Sequence, residues 1–304
     1  MQKYTKGIIY ASITAFFWGF LAIALKVASR EVEPVTIVWF RFSVAFVMLS
    51  IWQLVKSPTS FQILKRPPWL LILAGIGLSW NYLGYMMGIH YTTPSNAQLF
   101  IQTGPIIFAI AGLIFFKEKL TRNQIIGFGI AIVGFSFFYR DQISAFFDSQ
   151  EKYNTGVLLT ISGAIAWATY AISQKKLVIK YSAESLNLFL FGFPALIYIP
   201  FINLTPLFHL HWTWWLLMFF LGANTFIAYS CLALALKYIE ANKVSIIIIV
   251  NPMITFITMG ILTQLDVKWI THERFSIITI LGAALVFSGA VLVIWRKRMK
   301  NRVL

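Results

Sequence analysis

GIIYASITAFFW (residues 7–18) and GVLLTISGAIAW (residues 156–167) start and end on the same residues at the same spacing. Gly7 and Trp18 stand eleven apart, as do Gly156 and Trp167. The pattern extends outward. Tyr91 and Pro105 stand fourteen apart, as do Tyr238 and Pro252, and Gly127 and Gly134 are matched by Gly282 and Gly289. Each half holds five apolar runs. A unit with an odd number of membrane crossings must insert its second copy upside down. Such inverted repeats, interrupted at equivalent places, are a sequence-level mark of secondary transporters and of where their sites lie.

Composition sets the solvent. Of 304 residues, 59% are hydrophobic and 12% charged. A soluble domain carries about 25% charged residues, so this chain cannot coat a water-facing surface. Runs of roughly 20 apolar residues suffice to cross a hydrocarbon core as helices. Outer-membrane strands would alternate instead, and Ile246 to Val250 does not. The first run follows Lys3 and Lys6 but lacks a small-x-small cleavage site, so it reads as a retained helix. The expected fold is therefore an all-α membrane protein with ten transmembrane helices as two inverted five-helix repeats. Spans are expected near 7–27, 35–55, 69–90, 95–116, 121–138, 155–179, 185–203, 212–236, 243–262 and 275–295. The chain divides into a first repeat (1–140), an outer linker (141–154), a second repeat (155–296) and a basic tail (297–304).

The net charge of +15 is a topology signal rather than a nucleic-acid footprint. Eighteen Lys and Arg fall on one side of this arrangement and six on the other, with Arg41 inside the second span. The positive-inside rule makes the richer side cytoplasmic, with both termini there. The basic cluster from Arg296 to Arg302 reads as an anchor that can also meet anionic lipid. Cys231 is the only cysteine, so intramolecular disulfides and cysteine metal cages are excluded, and it reads as small apolar filler.

The order of motifs resembles the drug/metabolite transporter superfamily in its EamA branch. The resemblance covers nearly the whole chain. It rests on AFFWG (15–19), PVTIVWFRF (34–42), FFKEKL (115–120), GFGIAIVG (127–134), and ALKYIEANKV (235–244) followed by Asn251-Pro252. One element departs from the pattern. Where the second half usually repeats a glutamate-leucine pair, this chain has Thr263-Gln264-Leu265 and an extra stretch, 266–275. The resemblance implies a ten-helix bundle with a central cavity and alternating access. It also implies traffic in small metabolites, amino acids among them, often outward.

In lipid a polar side chain within a span is costly unless it faces protein or a watery cavity. The candidate substrate-binding residues are accordingly Trp18, Arg41, Asn81, Tyr85, Gln98, Gln102, Trp167, Tyr170, Asn224, Tyr229 and Asn251. Asn81 and Tyr85 share a helix face, as do Gln98 and Gln102. Amides, hydroxyls and aromatic rings suit a polar solute with an apolar part. The same residues also glue membrane helices together. Trp18 and Trp167, at matching positions, fit either packing or substrate contact. Pro105 and Pro252 read as hinges or as static kinks. Arg41 lies about two turns from the outer end, so it either snorkels outward or makes a structural contact, or else attracts an anionic group on the substrate.

All ten acidic residues fall in loops or near span ends. A proton-driven exporter of cations needs a membrane-embedded carboxylate, so a neutral, zwitterionic or anionic solute is favoured. Glu118, between Lys117 and Lys119, reads as an ion pair or helix cap. The outer-face His209 and His211 lie in a Trp-rich belt rather than a metal site. No phosphate loop, nucleophile or metal spacing is present, so no enzyme activity, cofactor or metal is expected. The expected partners are a small-molecule substrate and the lipid bilayer, without nucleic acid, as a monomer or homodimer in the inner membrane. The leading expectation is an exporter of amino acids or related solutes. An importer of an anionic or nucleotide-like metabolite, and a non-transporting scaffold or receptor, are the alternatives.

Overall fold

The computed structural model describes residues 2–138, 140, 151–272 and 276–294. The basic tail (297–304) and all of the linker before Glu151 lie outside the described residues. Among the described residues the regular structure is entirely helical. The helices are α1 (Gln2–Ala28), α2 (Pro34–Lys56), α3 (Trp69–Tyr91), α4 (Pro94–Phe100), α5 (Thr103–Ile114), α6 (Arg122–Phe138), α7 (Glu151–Leu177), α8 (Ala183–Ile197), α9 (Trp212–Tyr238), α10 (Ala241–Ile248), α11 (Asn251–Gln264) and α12 (Ile277–Ile294). Short helical turns at Pro58–Phe61, Gln62–Lys65, Ile199–Phe201 and Thr205–Phe208 fill connections.

Local chemistry sets the boundaries. Pro34 opens α2, where its missing N–H costs nothing. Thr93 caps α4 by accepting from the Asn96 N–H at 3.3 Å, and Ser182 caps α8 by accepting from the Ser185 N–H at 3.1 Å. The pairs α4–α5 and α10–α11 each form one interrupted path, broken around Ile101-Gln102 and Ile249-Val250. Pro105 and Pro252 sit in the first turn after each break. Proline there cannot donate to the preceding turn, so continuous helix is lost upstream of it.

Among the described residues, eight helical paths are long and apolar enough to cross a membrane, with α4–α5 and α10–α11 counted as one path each. The chain is therefore a multi-pass membrane protein. Large apolar side chains such as Ile76, Leu158, Ile165, Leu196, Phe219 and Ile257 point out of the bundle. In water such a surface would aggregate; in hydrocarbon it matches the solvent. The remaining two long helices, α6 with 17 residues and α12 with 18, are apolar but shorter, and they pack along each other.

Glycine sets how closely the helices meet. A Cβ built on Gly77 would lie 2.7 Å from the Ala166 carbonyl oxygen, and one on Gly84 2.6 Å from that of Leu159. The α3–α7 seam therefore runs backbone against backbone. Asn81 adds a side-chain bond across it, donating to the Gly163 carbonyl at 3.1 Å. Between α6 and α12, Gly127 meets the Gly289 carbonyl at 2.6 Å and Gly134 that of Gly282 at 2.8 Å in the same sense.

The paired sequence positions also make reciprocal contacts. A Cβ on Gly7 of α1 would meet Tyr238 and Ile239 at the end of α9, and one on Gly156 of α7 would meet Tyr91 and Thr92 at the end of α3. Each half thus supplies the glycine that admits the other half's tyrosine. This explains why both members of each pair recur at fixed spacing.

Gly84→Val should overpack the α3–α7 seam by about 1–3 kcal/mol and lower the melting temperature in detergent. Gly129→Ala should leave melting equal or slightly higher, because a Cβ there meets nothing within 4 Å. Equal melting of the two variants would show that the seam is not close-packed at Gly84.

Candidate functional site

The broken helices bring three amides together. Gln98 comes from α4, Gln102 from the break, and Asn251 from the start of α11. Gln102 Nε2 donates to Asn251 Oδ1 at 2.9 Å and to the Gln98 carbonyl at 3.0 Å. Gln98 Nε2 donates to Asn251 Oδ1 at 3.3 Å and to the Trp18 carbonyl at 3.1 Å. The Tyr85 hydroxyl donates to Gln98 Oε1, tying α3 to the cluster. One oxygen stays open: buried Gln102 Oε1 has no protein partner.

An aromatic wall stands beside the amides. Trp18 and Trp167 meet edge to face, with ring centroids 6.0 Å apart. Trp18 also meets Tyr229 at 5.3 Å, and Tyr229 meets Tyr82 at 5.5 Å. Indole Nε1 of Trp167 is buried without an acceptor.

Arg41 closes the far side. It is 1% exposed, with Nε donating to Thr225 Oγ1 at 3.2 Å and Cζ lying 4.4 Å from the Tyr82 ring centre. The snorkelling reading is thereby corrected: the side chain turns inward, because Thr225 and the Tyr82 face offer it partners there. Among the described residues no carboxylate pairs with it, and its terminal nitrogens carry no hydrogen bond. A desolvated cation held by a hydroxyl and a ring alone is expensive. The ring contributes about 0.5–2 kcal/mol, well short of that expense.

Together these groups line a central cavity of about 50 Å³. Trp18, Arg41, Asn81, Tyr85, Gln98, Gln102, Trp167, Tyr229 and Asn251 line it, as does Pro105. That volume admits a few water molecules and is far below the roughly 300–1,000 Å³ of pockets for larger ligands.

Two candidates lie outside the lining. Tyr170 packs behind Tyr229, with centroids 5.6 Å apart, and Asn224 donates to the Phe17 carbonyl at 2.8 Å as a helix–helix contact. Pro252 is also off the wall, one residue past Asn251. Sequence reasoning missed Tyr82, Leu21, Ile101 and Ile248, all of which line the cavity. Tyr82 was findable, since it stands three residues before Tyr85 on the same helix. The apolar three carry no signal that separates them from other span residues. A larger cleft between α11 and α12 is lined mainly by Met253, Phe256, Ile257 and other apolar residues. It has no charged side chain, so it offers no comparable chemistry.

Comparison with known proteins fits this geometry. The profile of the EamA-like transporter family matches residues 5–140 and again 154–295. An uncharacterized transporter of Haemophilus influenzae is 30% identical over 292 residues, covering 96% of this chain and 95% of that protein. The uncharacterized inner membrane transporter YhbE of Escherichia coli K12 is 28% identical, covering 94% of this chain and 90% of its own length. A probable amino-acid metabolite efflux pump of Salmonella typhimurium is 26% identical over 172 residues, 55% of this chain and 53% of that protein. With both halves matched and a polar cavity between them, this chain belongs to the EamA-like transporter family and is a membrane transporter of that type.

Proposed function

We propose that the chain is a secondary transporter that exports amino acids or closely related zwitterions from the cytoplasm by alternating access. In this reading ten helices cross the inner membrane as two inverted five-helix repeats, α6 and α12 being the fifth crossing of each. The reciprocal glycine contacts support the symmetry, the charge count supports cytoplasmic termini, and the E. coli relative, named as an inner membrane transporter, supports the membrane.

The observation that carries the substrate is Arg41, a buried cation without an acidic partner among the described residues. A solute carboxylate would complete it through charge-assisted bonds. Gln102 Oε1, an open acceptor on the same cavity, suits an ammonium or other N–H donor. The aromatic wall suits a short apolar side chain. A cavity this small requires the halves to part before such a solute enters. Pro105 and Pro252, at the two helix breaks, are the positions where that bending would concentrate. The name of the distant Salmonella relative favours amino acids and the outward direction. Uptake of a solute with anionic charge alone is the alternative that Arg41 also supports.

Flux of labelled amino acids and of simple carboxylates into liposomes holding the purified protein tests the proposal. Saturable amino-acid flux is expected, and flux of carboxylates alone would transfer the assignment to the alternative. Silence for every solute would sink both.

Arg41→Met should lower affinity for the transported solute about ten- to hundredfold, the worth of charge-assisted hydrogen bonds. Melting of the empty variant should hold or rise, since a costly buried charge is gone. A clear fall in melting would instead make Arg41 a structural contact.

A further inference from the structure

A second polar contact lies outside the cavity, at the end of the bundle that the proposed orientation makes cytoplasmic. Glu118 stands in the turn after α5, beside Lys117 with its positive φ of 52°. Its carboxylate accepts the backbone N–H of Ala241 at 2.6 Å and of Asn242 at 3.1 Å. These are the first two residues of α10, whose opening N–H groups have no partner within the helix. A carboxylate also complements the positive end of the helix dipole. Lys175 of α7 lies 3.8 Å from Glu118 and donates to the Ile239 carbonyl at 2.9 Å. The Glu118 side chain is 8% exposed, whereas Lys117 and Lys119 point to solvent and Lys243 is held by Glu240. One buried carboxylate therefore joins the turn after α5, α7 and the α9–α10 corner.

This contact reaches the cavity through α10. The helix is eight residues long, about 12 Å, and its last residue, Ile248, lines the cavity. Asn251, three residues on, carries the amide that holds Gln98 and Gln102.

The opposite end of the bundle is built alike, with two differences. Lys26 of α1 donates to the carbonyls of Ile89 and Thr92 at 2.8 Å each, as Lys175 does to those of Leu236 and Ile239. Asp266 repeats the φ of 52° seen at Lys117, which puts Val267 in the place of Glu118. Pro94 opens α4 as Ala241 opens α10. Valine has no carboxylate and proline has no N–H. The clasp cannot form there.

We propose that Glu118 is a one-sided latch. The cytoplasmic mouth opens only when the start of α10 leaves the Glu118 carboxylate. The outer mouth opens without that step, so the two openings differ in free energy. The naming of the faces rests on the proposed orientation; the latch does not.

The test uses full-length protein in membrane vesicles, with Cys231→Ser and a reporter Ile248→Cys on the cavity wall. A membrane-impermeant maleimide is applied to inside-out and to right-side-out vesicles. Glu118→Gln keeps the shape of the side chain and removes its charge. It should speed cytoplasmic labelling roughly tenfold or more, the worth of charged hydrogen bonds, and slow outer labelling. Pro94→Ala with Val267→Glu should build a clasp at the other end and slow outer labelling. Unchanged labelling, or faster labelling from both faces, overturns the latch. Faster labelling from the outer face alone keeps the latch and overturns the orientation. If Glu118→Gln does not fold, the paired outer variant decides by the same readout.

Discussion

Hydrocarbon gives apolar helices little reason to associate with one another, since lipid tails are as apolar as leucine. What holds this bundle is the approach of backbones at glycine, where dispersion contacts and cross-helix hydrogen bonds become available. Gly77, Gly84 and Gly163 do this between α3 and α7, and Gly127, Gly134 and Gly289 between α6 and α12. The same constraint fixes where polar groups stand. Asn81 reaches the Gly163 carbonyl because the two backbones are already close.

The site forms where that close packing is interrupted. Helix breaks at Ile101-Gln102 and Ile249-Val250 turn three amide side chains toward one another. Lipid tolerates irregular backbone only where protein or a watery cavity covers it, so the breaks had to lie inside the bundle. The breaks and the polar cluster are therefore one feature. Both follow from prolines placed a turn beyond the point where a helix should have continued.

Much of this was legible before any coordinates. Paired spacings exposed the duplication because a seam between two similar halves needs its glycines and tyrosines at matched heights, as Gly7 with Tyr238 and Gly156 with Tyr91 now illustrate. Polar residues in apolar runs pointed to the cavity because lipid penalises them anywhere else. Two kinds of fact stayed hidden. The inward turn of Arg41 depends on Thr225, 184 positions away, which no local pattern can announce. Asn224 and Tyr170 look like their neighbours in sequence, yet rotation about their helices aims one at the Phe17 carbonyl and the other behind Tyr229.

The halves are not equivalent in charge. Arg41 is the eighth residue of α2, and the eighth residue of α8 is the fully buried Leu190. Arg41 thus sits about 10 Å along a helix of 23 residues, as a single elementary charge inside the bilayer. A membrane potential acts on that charge, by about 2.3 kcal/mol for a full crossing at 100 mV. Wherever water enters, the voltage drop concentrates across the part of the protein that stays sealed. If the mouths open in turn, that drop shifts from one side of Arg41 to the other. The guanidinium on the cavity wall would then make the protein respond to voltage, with the leucine half contributing nothing.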